Sequence, residues 1–166
     1  MKKLVLSFII LFFLISCSEM EVDKEVKHEE LSLEEKIQEL MVQNDNHYVT
    51  IIDYDIKGDY IFVVFQSLNV RMLSAAILKH TQSGLEWVLG ENIQSQTTIL
   101  ADKGSPVVTI IRPEKSMKEI KVFDEPAKQV TYFDEAIEGV SLEVSYWIAF
   151  SDKVPNHEGD IEIIKE

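Results

Sequence analysis

The segment Asp53-Tyr54-Asp55-Ile56-Lys57-Gly58 comes nearest, by residue type, to a metal loop in this chain. A calcium loop sets acids at alternate positions and a glycine at the sixth, then closes with a bidentate glutamate at the twelfth. Here Lys57 stands at the third ligand position and Val64 at the twelfth, so a hairpin with acids on its wet face explains the same residues. Four histidines, His28, His47, His80 and His157, are spread too widely for the convergent ligands that zinc needs, and no two are spaced i, i+4. Nucleophiles are no better placed. Ser105 lies in a Gly104-Ser105-Pro106 turn with no elbow pattern around it, and Cys17 is the only thiol. With 29 acidic residues some carboxylates meet in any fold, so their abundance defines no acid–base pair. No glycine pattern for phosphates occurs either, and the sequence implies no catalytic residue, no metal site and no cofactor.

Two side chains remain as candidates for recognition. Trp87 and Trp147 are the only tryptophans, and tryptophan is enriched among the residues that dominate binding surfaces. Trp147 falls in the polar phase of an alternating strand. The pair is either core, if both faces of its sheet are covered, or an exposed aromatic binding face.

The chemistry of Cys17 depends on what precedes it. Lys2 and Lys3 are followed by an apolar run from Leu4 to Ile15, broken only by Ser7. Twelve residues make a helix of roughly 18 Å, well short of the ~30 Å hydrocarbon core. Such a segment is a secretory signal peptide rather than a spanning helix. Its end, Leu14-Ile15-Ser16-Cys17, resembles the lipobox of bacterial lipoprotein precursors. That resemblance implies a diacylglyceryl group on the Cys17 thiol and cleavage just before it. Two acyl chains at ~0.8 kcal/mol per buried methylene anchor stably where one does not. The expected organisation is a signal peptide over 1–16, a lipidated cysteine with an acidic tether over 17–30, and a single β-rich domain with an N-terminal helix over 31–166.

Charge limits the partners. The chain carries a formal net charge of −13. Cleavage before Cys17 removes two lysines and no acids, which leaves 14 bases against 29 acids and a charge of −15. Nucleic-acid backbones and anionic lipid headgroups are repelled by such a surface. The expected membrane contact is therefore the lipid anchor alone, with no nucleic acid and an unspecified protein or small-molecule partner in the envelope.

Periodicity then sets the elements. Residues 31–43 carry Leu33, Ile37, Leu40 and Met41 on one helical stripe, and Ser32 with Glu35 has the spacing of a capping box. All six glycines and all four prolines fall after Tyr48, punctuating short β-branched and aromatic runs. Four hairpins are expected: 48–56 with 60–66, 73–80 with 85–89, 93–101 with 107–112, and 118–123 with 128–133. The clearest strand is 140–150, where Val140, Leu142, Val144, Tyr146, Ile148 and Phe150 alternate with smaller or polar residues. A short strand at 161–164 closes the set. Hairpin-length loops imply an antiparallel meander, folded as a β-sandwich or open barrel with one helix, or alternatively as an α+β roll.

The hairpin Ala75-Ala76-Ile77-Leu78-Lys79-His80 with Gly84-Leu85-Glu86-Trp87, the strand Ile120-Lys121-Val122 and the pair Tyr146-Trp147 also resemble small uncharacterised lipoproteins of Bacillus-like Gram-positive bacteria. The resemblance implies the compartment and the fold, and no mechanism. The function expected is that of a membrane-anchored, non-enzymatic binding or accessory module of the cell envelope. The alternative is an envelope hydrolase whose carboxylates converge only in the fold. Metabolic labelling with palmitate should mark the native protein, and Cys17→Ser should abolish both the label and membrane retention. An unmodified Cys17 in the mass of the native protein would overturn the anchor.

Overall fold

The computed structural model describes residues 31–114, 116–137 and 140–165. Cys17, the signal segment and the acidic stretch up to Glu30 lie outside the described residues. Ser32 opens helix α1 (Leu33–Gln43) as expected. Its Oγ accepts the Glu35 N–H at 3.3 Å while the Glu35 carboxylate accepts the Ser32 N–H at 2.7 Å. The bond from the Ser32 backbone, more than that from its side chain, holds the Glu35 carboxyl below its ordinary range. Asn44 ends the helix, its side-chain amide donating to the Leu40 carbonyl at 2.9 Å.

Eleven strands follow among the described residues: β1 (Val49–Lys57), β2 (Tyr60–Ser67), β3 (Leu73–Thr81), β4 (Gly84–Asn92), β5 (Thr97–Leu100), β6 (Val107–Ile111), β7 (Met117–Val122), β8 (Glu125–Pro126), β9 (Lys128–Ile137), β10 (Val140–Ser151) and β11 (Ile161–Lys165). The first four form a meander in the order β1-β2-β3-β4. Gly58, with φ of 60°, starts the two-residue turn between β1 and β2, a geometry that splayed hairpin turns cannot match. A second sheet runs β5-β6-β10-β9 and a third β11-β7-β8. Every pairing is antiparallel, and the sheets stack as a sandwich that does not close into a barrel.

The core is layered. Phe62, Val64, Ala75 and Ile77 of the first sheet meet Leu100, Val108, Ile110, Tyr146 and Ile148 of the second. Alternate residues Ile61, Val63, Phe65, Ala76 and Leu78 turn to the other face, where Ile37 and Met41 of α1 cover them. On the far side of the second sheet, Ile111 and Trp147 pack against Ile120 of the third. The molecule is thus helix, sheet, sheet, sheet.

Both edge strands of the first sheet carry an extra residue. In β1 the register slips between Ile51 and Asp53, so Ile52 bulges. Val49, Ile51 and Tyr54 keep to the helix side, whereas Ile52 joins the inter-sheet core and Asp53 and Asp55 pair with its residues Val64 and Phe62. In β4 the slip falls at Val88, between Trp87 and Leu89.

Strand pairing departs from the expected hairpins in one place. The run 118–123 does not pair with 128–133. Phe123 and Asp124 both adopt positive φ, 52° and 63°, and fold β7 back onto the two-residue β8 instead. Beyond it β9 pairs with β10, which also reaches back to β6, so the second sheet is not a simple meander. The strand expected over 93–101 is shorter, 97–100, although Ile93 still fills the core. In β10 the inner residues are as expected from Val144 onward, but Val140 and Leu142 are exposed because that end of the strand has only β9 beside it.

Gly90 shows how tightly the helix side is packed. A Cβ at Gly90 would stand well inside van der Waals contact of the Trp87 indole, which lies across it. Gly90→Ala should therefore destabilise the domain by about 1–3 kcal/mol through overpacking. The check is a lower urea midpoint with an unchanged slope.

Candidate functional site

The sequence candidates do not assemble into one place. Trp147 is 4% exposed and packed under the third sheet, while Trp87 is half-buried in the cluster beneath α1. The second sheet and the inter-sheet core separate them, so the pair forms no shared binding face. Each covers a different sheet surface. His47, His80 and His157 are exposed, and His28 lies outside the described residues. The Ser105 hydroxyl donates to the Asp102 carbonyl at 3.2 Å and ties its turn. Among the described residues no three His, Cys, Asp or Glu side chains stand close enough to hold a metal ion.

Asp53 and Asp55 do converge, on a cation of the opposite sheet. Because the bulge at Ile52 turns both acids inward, they face Lys128 at the start of β9, whose ammonium lies 2.7 Å from Asp53 and 2.9 Å from Asp55. Burial opposes the Lys128 charge, but the two hydrogen bonds and the two negative charges outweigh it and raise its pKa. The edges of the two sheets are clasped by this triad. Beneath it sits Tyr146, fully buried, with a hydroxyl that finds no partner among the described residues. Burial first, then the charges of Asp53 and Asp55 and the neighbouring Tyr132, push the Tyr146 hydroxyl far above its ordinary value of 10.0. A lysine hydrogen-bonded to two carboxylates of the other sheet ties the two sheets together at this edge.

The other end of the sandwich opens into a cleft of about 570 Å³. Its walls are the β2–β3 turn, the residues after β4 and β6, and the inner face of the β9–β10 hairpin. Both arginines of the chain, Arg71 and Arg112, line it. Arg71 sits in the turn with φ of 51°, a left-handed conformation that costs a non-glycine residue roughly 1–2 kcal/mol. Such conformations persist where the surroundings over-determine them. Here the guanidinium pairs with Asp134 of β9. Gln66, 7% exposed, donates from its amide to the other oxygen of Asp134 at 3.1 Å and, at 3.4 Å, to the Arg71 carbonyl. The three side chains thus lock turn to hairpin across the two sheets.

Arg112 is held differently. Its backbone N–H bonds to the Gln96 carbonyl at 2.8 Å, but its guanidinium has no ion pair or hydrogen bond among the described residues. Opposite lies Tyr132, half-buried, whose hydroxyl is raised in pKa by burial and then by Asp134, against the opposing pull of Arg112. The Tyr132 hydroxyl likewise has no hydrogen bond among the described residues. Apolar wall is supplied by Val70, Met72, Leu73, Ile93 and Val144. Open donors and apolar surface in one concavity are the composition of a small-molecule site. The sequence signal for it is compositional: a chain with 16 lysines and arginines uses arginine twice, at 71 and 112.

No protein-family model matches the chain, and no curated protein or solved structure matches it. The meaning of the cleft therefore rests on its own geometry.

The buried hydroxyl has a measurable signature at alkaline pH. Above their ordinary values, 10.0 for tyrosine and 10.5 for lysine, unfolded Tyr146 and Lys128 release protons that the folded protein retains. The folded state then binds more protons, so these contributions are complete below that range and are lost as the pH rises through it. Urea midpoints should fall above about pH 10, and less steeply in Tyr146→Phe. At neutral pH the same substitution should raise stability by about 1 kcal/mol, because a buried hydroxyl without a partner is removed.

Proposed function

We propose that this chain is an extracytoplasmic lipoprotein, attached to a cell membrane through Cys17, whose domain is a non-enzymatic binding module of the envelope. Its ligand occupies the cleft between the β2–β3 turn and the β9–β10 hairpin. One observation carries this assignment above all: in a chain of net charge −13, both arginines line a single concavity. Arginine is the side chain that presents a planar, permanently charged fork of donors. Arg71 and Asp134 with Gln66 supply a pre-set floor, since their hydrogen bonds already join the two walls. Rigidity of that kind lowers the ordering cost of binding. Asp53, Asp55 and Lys128 hold the sheets together at the other end of the sandwich.

The lipobox resemblance supports attachment, and the short acidic stretch before Leu31 supports a spacer that holds the module off the bilayer. Native mass spectrometry of the mature protein, after incubation with envelope extract, tests the binding role. A small molecule should be retained, and Arg112→Ser, a change at an exposed side chain without an ion pair among the described residues, should release it without lowering the melting temperature. Retention undiminished in that variant, or no adduct on the wild type, would refute the cleft as a ligand site.

A further inference from the structure

We infer that the cleft recognises one carboxylate carried on an apolar body, with Arg112 as the anchoring cation; the inference rests on the binding role proposed above and names the class of ligand. Charge selects the valence. Arg71 is paired with Asp134, and Arg112 is the one charged residue of the cleft lining without an ion pair among the described residues. A monoanion balances it. A dianion such as phosphate would leave excess negative charge in a chain already at −13. Geometry selects the group: the guanidinium fork matches the two oxygens of a carboxylate with parallel hydrogen bonds.

The hydroxyl of Tyr132 adds a donor to the same lining, and it is not engaged within the described residues. Two carboxylate oxygens can accept from both of these groups at once. Around the donors, Val70, Leu73, Ile93 and Val144 offer apolar surface, and Val70 is 66% exposed at the mouth. An exposed branched side chain beside an open guanidinium gains from a ligand that covers it. A volume of about 570 Å³ accommodates a body of several carbons. Two sources present this chemistry: the free C-terminus of a short apolar peptide, and a medium-chain fatty acid.

Because the chain has two arginines, selective ¹⁵N labelling of arginine reports the site with two Nε–H signals. The full lipidated protein would be placed in phosphatidylcholine nanodiscs and the Arg112 signal assigned by its loss in Arg112→Lys. The probes are N-acetyl-alanyl-leucine and octanoate, their uncharged counterparts (the peptide amide and methyl octanoate), and inorganic phosphate; empty nanodiscs correct for partitioning. A saturable shift of the Arg112 signal with either carboxylate is expected, and with neither neutral counterpart. A response to the peptide alone assigns a peptide C-terminus, a response to octanoate alone assigns a fatty acid, and a response to both assigns the shared group. Arg112→Gln should weaken the calorimetric affinity at least about tenfold, and Tyr132→Phe should weaken it by a smaller factor.

Equal binding of a neutral counterpart, stronger binding of phosphate, or no shift with any probe would each overturn the carboxylate assignment. The binding role itself falls only if the wild type also retains nothing from envelope extract.

Discussion

Strands β2 and β3 cannot be half-buried. From Ile61 to Phe65 and from Ala75 to Leu78 every residue is apolar and removed from water, whichever face it points to. A sheet built around such strands needs a cover on both sides. The capped helix α1 provides one, through a stripe of four residues, and the second sheet provides the other. Once those covers are in place the remaining geometry is largely determined: the helix must precede the meander closely enough to fold back on it, and the second sheet must align its own apolar strands with β2 and β3.

The same demand repeats one layer out. β6 is buried along its whole length, so the second sheet in turn needs a lid, and the small third sheet supplies it over Ile111 and Trp147. The lid is short. On its other face, toward the first sheet, the far end of the β9–β10 hairpin brings Tyr132, Asp134 and Val144 to the lining of the cleft. The cleft exists because the hairpin outruns the sheets it packs on. At the opposite end the edges of the two sheets are drawn together by Lys128 between Asp53 and Asp55, and Phe62 and Phe150 meet edge to face with ring centroids 5.0 Å apart. One end is closed by charge and aromatic contact, the other held open around a salt bridge.

Local features were legible in the residues. The capping box at Ser32 and Glu35, the stripe of α1, the turn at Gly58 and the inner face of β10 each follow from spacings within a dozen positions, and each is present. Pairing between distant segments was not. Nothing local to 118–123 tells whether it bonds to 128–133 or to 161–165, since both are antiparallel partners of suitable length; the positive φ angles at Phe123 and Asp124 decide it. The alternation in β10 likewise describes one face and is silent about what covers the other, which is how Trp147 came to look polar-facing while being core. The cleft was least legible of all. Its residues come from 66, 71, 112, 132 and 145, no two of them within a motif, and only the scarcity of arginine marks two of them in advance.

The bulges at Ile52 and Val88 have a bearing on how many copies can share a surface. They fall on β1 and β4, the two free borders of the first sheet, and each interrupts an otherwise regular row of backbone donors and acceptors. A kinked border with inward acids offers a poor template for a strand from a neighbouring molecule. Densely packed copies can then jostle side by side without zipping into a continuous fibre.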